Sequence, residues 1–77
     1  MTAIQTLISL PIGQLATIQS LHAEPNFKFR LNGLGFRIGK SIKIIRKAPF
    51  NGPLHLKLDN TEVMIRQQDA ANIEVIV

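Results

Sequence analysis

The chain has 77 residues, the size of one small domain, so a single domain over residues 1–77 is predicted. Hydrophobic residues make up 45% of the chain and charged residues 18%, a balance typical of folded domains that excludes the charge-rich, apolar-poor disordered class. The absence of cysteine excludes disulfides, zinc ribbons, iron–sulfur clusters and thiol chemistry. Nine Lys and Arg against five Asp and Glu give a formal charge of +4, which favours anionic partners.

The N-terminal segment MTAIQTLISLPIGQL lacks the basic start and the uninterrupted apolar run of a signal peptide. No stretch of about 18 apolar residues follows it that would span a bilayer. We therefore expect a cytoplasmic protein. Pro11-Ile12-Gly13 predicts a turn, and the alternating residues 14–21 predict the first strand.

A short helix is predicted to begin at Pro25, since proline suits the first helical turn. Phe27, Leu31 and Leu34 follow at i, i+4 and i+7, so they share one apolar face. Gly35 is suited to the left-handed position after the helix.

The rest of the chain reads as strands joined by turns. Alternation of Ile42 and Ile44 with Lys43, and of the leucines at 54, 56 and 58 with His55 and Lys57, indicates two strands with one apolar face each. APFNGP between them predicts a turn-containing loop. Asp59-Asn60 predicts a two-residue hairpin before a strand over 61–65. A helical turn over 67–72 and a last strand over 73–77 complete about five strands with one helical insert, typical of a small barrel or a partly open sandwich.

Three glycines fall close together in RLNGLGFRIGKSIKIIRK, residues 30–47. A phosphate-binding loop needs a preceding strand and a following helix, whereas here the glycines end a helix and lead into a strand. The spacing before Gly39-Lys40-Ser41 also differs from that of a Walker motif. We interpret Gly35 and Gly39 as corner residues, while Gly33 inside the helix indicates either close packing or fraying.

Most of the chain, from residue 11 to residue 77, resembles the FeoA family of bacterial ferrous-iron-transport accessory proteins. The pattern that carries this resemblance consists of Arg30, Leu31, Leu34, Gly35, Gly39, Pro49, Gly52 and Pro53, with Ala48, Arg66, Ala70 and the closing Ile73-Glu74-Val75. Two positions depart from the usual pattern: Ile38 stands where proline is frequent, and Gly33 where a bulkier helix residue is usual.

The resemblance implies an SH3-like β-barrel, found alone or fused to the ferrous transporter FeoB, that assists or regulates this transporter from the cytoplasm. It therefore implies a FeoB-type transporter as the partner, with contact to the inner membrane only through that partner. We expect a non-enzymatic module that modulates the transporter's assembly or GTP-driven activity, and no cofactor.

Catalytic and metal-binding patterns are weak in this chain. The candidate nucleophiles and bases are Ser9, Ser20, Ser41, His22 and His55, and they have no recognisable catalytic spacing. Ferrous iron favours sets such as two His with one carboxylate, but the two histidines lie far apart and no metal-binding spacing supports either. We expect no metal ligands, an exposed His55 on the outer side of its strand, and His22 in a loop.

A basic set forms the sharpest surface feature, and we take it as the candidate partner-binding site: Arg37, Lys40, Lys43, Ile45, Arg46, Lys47 and Lys57. Simple alternation places Lys43, Ile45 and Lys47 on one side of their strand and Arg46 on the other. This set has three interpretations: a solvated strand face, a docking surface for an acidic protein, or a site for nucleic acid. A small nucleic-acid-binding barrel is therefore the alternative function.

The C-terminal run IEVIV has two interpretations as well. Ile73, Val75 and Val77 face the core if the strand closes the barrel, which is the default. The alternative is that this strand pairs with another chain, which would give a weak homo-oligomer.

Overall fold

The computed structural model describes residues 3–22 and 24–77. It is mainly β, and one antiparallel sheet contains the strands in the order β1-β6-β2-β3-β4-β5. The elements are β1 Ile4–Thr6, a 3₁₀ turn Leu7–Ser9, β2 Ala16–Leu21, α1 Pro25–Leu34, β3 Ser41–Lys47, β4 Leu54–Leu58, β5 Thr61–Ile65, α2 Gln67–Ala70 and β6 Ile73–Ile76. Neither described helix has the length or the apolar character needed to cross a bilayer.

The prediction of five strands is wrong by one, because β1 pairs with β6 at the start of the sheet. This strand has only three residues, too few for alternation to show in the sequence. The 3₁₀ turn after it was not predicted either, although Leu7 in the turn and Leu10 just after it are both fully buried. The N-terminal segment therefore covers one end of the core.

The core consists of the inward faces of the strands, closed by α1 and the 3₁₀ turn. Alternation predicted most of it: Ile42 and Ile44 on β3, the three leucines of β4, and Ile73 and Val75 on β6 are all buried. Val77, predicted to face inward, lies beyond β6 and is 42% exposed. Each buried aliphatic side chain contributes about 1.5–3 kcal/mol relative to exposure, so these strand faces supply most of the stability.

The predicted helix has the predicted bounds, with Pro25 in its first turn and Gly35 at its end with φ +102°. The Gly35 N–H donates to the Asn32 carbonyl, and the Phe36 N–H donates to the Leu31 carbonyl at 2.9 Å. This pair of bonds is a Schellman motif, which normally brings the residue after the glycine onto the helix's apolar face. Accordingly Phe36 and Leu31 are both buried in the core.

Leu34 was predicted on the buried face of α1, and that prediction is wrong, since the residue is 49% exposed. The helix ends at Leu34, and the chain reversal brings Phe36 into the core position that a further turn of helix would have used. Gly33 has no heavy atom within 4 Å of the position a Cβ would take, so close packing does not explain this glycine.

Turn predictions are confirmed along the chain. Asp59-Asn60 joins β4 to β5 with Leu58 paired to Thr61, and Asp59 has φ +53°. The last helical turn, α2, lies within the predicted 67–72 segment.

The final strand, β6, pairs with β1 on one side and β2 on the other, so it is not a free edge to which another chain adds a strand.

Candidate functional site

A β-bulge in β3 rearranges the basic surface that the sequence indicates. Ile44 pairs with Leu56, but Arg46 pairs with His55, so Ile45 is the extra residue between them. His55 and Lys57 alternate with the buried leucines of β4 and therefore lie on the outer face of the sheet. The register thus places Arg46 on this outer face together with Lys43, while Lys47 lies opposite Leu54, at the core-side register.

This finding corrects the prediction that Lys43 and Lys47 share one side and Arg46 the other. Side chains alternate between the two faces of a sheet only while each residue of one strand pairs with one residue of its neighbour. At the bulge Ile45 has no pairing partner of its own, so the alternation shifts by one residue after it. We use the term outer face for the residues that the register brings together on this side of β3, β4 and β5: Lys43, Ile45, Arg46, His55, Lys57, Glu62 and Met64.

Besides Arg46, the outer face contains a cross-strand pair of two positive charges. Lys43 lies directly opposite Lys57, and like charges at such positions repel. Glu62 lies opposite Lys57 on the other side, but its Oε1 contacts His55 Nε2 at 2.8 Å. Among the residues described, neither lysine has a carboxylate within 4 Å, so their positive charge is available to a partner.

Apolar side chains accompany these charges. Ile45 is half-buried at the bulge, and Met64 on β5 is 62% exposed. Leu15, 61% exposed, lines a small cavity of about 130 Å³ together with Lys43, Lys57 and Asp59. The outer face therefore combines charged groups on β3 and β4 with apolar area at the bulge and on the edge strand β5, and protein interfaces contain both kinds of surface.

His55 was predicted to be an exposed surface histidine. It does lie on the outer side of its strand, but its side chain is only 26% exposed, because it packs between neighbouring strands and contacts Glu62. It is therefore a half-buried part of the outer face.

Two members of the predicted basic set lie away from the outer face. Lys40 Nζ contacts Asp59 Oδ2 at 2.9 Å, and this hydrogen bond lowers the pKa of the Asp59 carboxyl, although the group is solvent-exposed. Arg37 lines a cavity of about 390 Å³ beside α1, with Lys28 and His22. The predicted set thus divides into an outer-face part and a helix-side part.

The structure also contains a polar cluster that sequence spacing did not reveal. Glu74 Oε1 lies 2.7 Å from His22 Nε2 and 2.7 Å from the Ser20 hydroxyl, which are themselves 3.0 Å apart. Two hydrogen bonds lower the pKa of the Glu74 carboxyl: the one with His22 has the larger effect, and the one from Ser20 the smaller. The only sequence signal is the closing Glu74 of the family pattern, since its partners are more than 50 residues away.

This cluster is not arranged as a Ser-His-acid triad. In a triad one ring nitrogen of the histidine contacts the serine and the other contacts the carboxylate. Here the same atom, His22 Nε2, contacts both partners, and the serine hydroxyl already donates to the carboxylate. Over residues 3–22 and 24–77, no group of three or more His, Asp or Glu side chains is placed to hold a metal ion.

The family model and the sequence comparison identify the same family. The family model for the FeoA domain matches residues 5–77. A putative Fe(2+) transport protein A of Campylobacter jejuni is 37% identical over 70 residues, which cover 91% of this chain and 95% of that protein.

Two further relatives add context. A fusion protein of Fe(2+) transport protein A and the Fe(2+) transporter FeoB from Porphyromonas gingivalis is 33% identical over 69 residues, or 90% of this chain. This chain spans only 8% of the length of that fusion protein. The crystal structure of Stenotrophomonas maltophilia FeoA complexed with zinc, described as a prokaryotic SH3 domain protein, superposes with a TM-score of 0.74 at 31% identity, covering 92% of this chain and 88% of that one.

Proposed function

Since this chain belongs to the FeoA domain family, which is associated with Fe(2+) transport, we propose that it is a non-enzymatic accessory protein of ferrous-iron uptake. It docks in the cytoplasm on the soluble part of a FeoB-type transporter and modulates the transporter's assembly or GTP-driven activity. The fusion of a related domain to FeoB in one polypeptide carries this proposal, because fused domains commonly act together.

The outer face is the proposed docking surface on this chain. Lys43 and Lys57 repel each other in the free protein, so an acidic partner that binds between them relieves a cost already present in the fold. Ile45 and Met64 supply apolar contact area beside the charges. The combination favours an acidic protein surface that also has apolar area as the partner.

The size of the domain limits the affinity that we expect. A standard interface of about 800 Å² per partner would cover roughly one sixth of the 4918 Å² total surface. The three outer-face strands have only five to seven residues each, so they provide only part of that area. We therefore expect a weak complex for the free domain, and covalent fusion would offset this weakness by raising the effective concentration.

The test is direct binding of the purified chain to the cytoplasmic domain of the transporter from the same organism, with and without guanine nucleotide. The outer-face variant is Lys43→Gln with Lys57→Gln. Its matched control is Lys28→Gln with Arg37→Gln, which removes the same charge from the helix side. Losing the charge contacts of these two half-buried surface lysines should weaken binding roughly two- to thirtyfold.

The expected result is saturable binding that the outer-face variant weakens and the control variant does not. Equal affinity of all three proteins would refute the outer-face assignment, and loss in the control alone would move the site to the helix side. A random oligonucleotide is measured in parallel. Binding only to this oligonucleotide, with a steep dependence on salt, would replace the accessory function with the nucleic-acid alternative.

A further inference from the structure

The turn between β3 and β4 presents an aromatic side chain to solvent. Phe50 is 100% exposed, the most exposed large hydrophobic residue that the structure describes. It lies at the first central position of a tight turn, with φ +58°, and Asn51 beside it has the same φ. The Gly52 N–H donates to the Pro49 carbonyl at 3.1 Å and closes the turn.

Phenylalanine is an unfavourable residue for this position. Positive φ is disfavoured for bulky side chains, and a central pair of this type normally consists of Asn, Asp or Gly. Burial does not compensate for this cost, since the ring contacts solvent. Residues held in strained backbone conformations cluster at functional sites, so the position calls for a function that uses an exposed aromatic ring.

The turn is rigid, which means that the ring is held out and is not merely mobile. Besides the closing bond, the Ala48 N–H donates to the Pro53 carbonyl at 3.1 Å. A Cβ on Gly52 would lie 2.7 Å from the Ala48 Cβ, so the two sides of the loop are in close contact. Pro49 and Pro53 restrict the backbone further. The loop that carries Phe50 is therefore already ordered in the free protein, and binding does not require a further loss of its conformational entropy.

Most of the exposed charges around this turn are basic. Arg46 and Lys47 end β3 at its base, and Arg66 lines a shared cavity with residues 51–53. Asp69, the acidic residue on the adjacent α2, lies 3.6 Å from Arg66 with only 16% of its side chain exposed. Asp59 lies at the opposite end of the β3–β4–β5 meander, beside Ser41. The Glu62 carboxylate contacts His55, which pairs with Arg46, so it is the acidic group of the outer face closest to the turn.

We propose that the tip formed by residues 46–53, with Arg66, binds an anionic phospholipid surface and inserts the Phe50 ring among the headgroups. A single aromatic residue on a rigid convex turn, flanked by basic side chains, suits a bilayer interface: the ring partitions into the boundary and the cations meet anionic headgroups. This inference does not depend on the transporter, because the probe is lipid alone. In the cell the two contacts are compatible, since the tip lies at one end of the strands that form the outer face.

The expected contributions are modest individually and measurable together. Each basic side chain near an anionic surface strengthens binding about fivefold. Partial burial of a phenylalanine ring contributes roughly tenfold. A tip with this composition binds reversibly, as expected for a peripheral contact and not for an anchored protein.

The test is co-sedimentation of the full chain with phosphatidylcholine vesicles that contain or lack phosphatidylglycerol. The main variant is Phe50→Asn, which removes the ring and relieves the backbone conformation, so the fold is retained or strengthened. The matched control is Phe29→Ala, which removes a 78% exposed phenylalanine on α1, outside the tip segment. Lys47→Gln tests the charge contribution.

The expected result is binding to phosphatidylglycerol vesicles that falls roughly tenfold in Phe50→Asn and about fivefold in Lys47→Gln, with Phe29→Ala unchanged. Urea unfolding of each variant verifies that the fold is intact. Absence of vesicle binding by the natural chain, or equal binding by Phe50→Asn, would overturn the proposal. If the chain binds the transporter domain but not the vesicles, only the lipid contact is refuted. If it binds the vesicles but not the transporter domain, only the docking function is refuted.

Discussion

Gly33 lies inside α1 and Gly35 immediately follows it, and replacing each with alanine should change the free energy of unfolding in opposite directions. Gly35 has φ +102°, and an added Cβ would lie 3.3 Å from Leu58 Cδ2. Gly33 lies inside the helix with ordinary helical geometry, and an added Cβ would have no heavy atom within 4 Å. Gly33→Ala therefore tests helix propensity alone, whereas Gly35→Ala tests the chain reversal that carries Phe36 into the core.

The magnitudes follow from these two environments. A left-handed conformation costs an L-residue about 1–2 kcal/mol, and displacement of Leu58 raises the total for Gly35→Ala to about 1–3 kcal/mol of lost unfolding free energy. Gly33→Ala should gain up to about 1 kcal/mol, because alanine loses less backbone entropy in a helix. The two variants should then differ by about 1–4 kcal/mol.

Urea unfolding at constant m-value, followed by circular dichroism, measures both changes, and thermal melting should show about 4–8 °C per kcal/mol for a domain of this size. The natural chain is the reference. Equal stability of the two alanine variants, or a stabilised Gly35→Ala, would show that the left-handed cap does not hold the Schellman motif in place, and the account of how Phe36 reaches the core would have to be abandoned.

Three further predictions concern stability. Ile38→Pro should stabilise the chain by about 0.4–1 kcal/mol. Residue 38 precedes Gly39 (φ +93°) in a turn that the Lys40 N–H closes by donating to the Arg37 carbonyl, and proline suits this position. A lower free energy of unfolding in urea would contradict this prediction. Phe36→Ala should cost about 3–5 kcal/mol of unfolding free energy, and a cost below about 1 kcal/mol would exclude full burial of this ring. The pKa of Glu74 is lowered from its ordinary value of 4.5, so its contribution is fully present above about pH 4.5 and is lost as the pH falls through the lower folded-state pKa. Glu74→Gln should therefore be less stable than the natural chain at neutral pH, with the difference shrinking on acidification; a constant difference would refute the linkage.

Regular alternation and local turn chemistry explain why much of the fold was predictable. Ile42, Ile44 and the leucines of β4 read directly as buried strand faces, and the structure confirms them. Pro25 and Gly35 marked the two ends of α1, because each residue has a backbone conformation that suits one helix terminus. The family pattern indicated the family correctly, which the match over residues 5–77 confirms.

Errors arose where a contact distant in sequence decided the outcome. The three residues of β1 have no pattern of their own and form a strand only because β6 offers an edge. Leu34 obeys the helical spacing of a core residue but is exposed, since the reversal after it brings Phe36 into the core instead.

The sequence by itself determined the composition of the basic surface, the strand faces that bury apolar groups and the turns that join them, since these follow from residues close together along the chain. Only the tertiary structure decided which charges meet. One extra residue at Ile45 moved Arg46 to the same face as Lys43, and the fold neutralised Lys40 with Asp59 and joined Ser20, His22 and Glu74. The physical reason is that strand register and pairing depend on packing across the sheet, and a single bulge exchanges the two faces of everything after it.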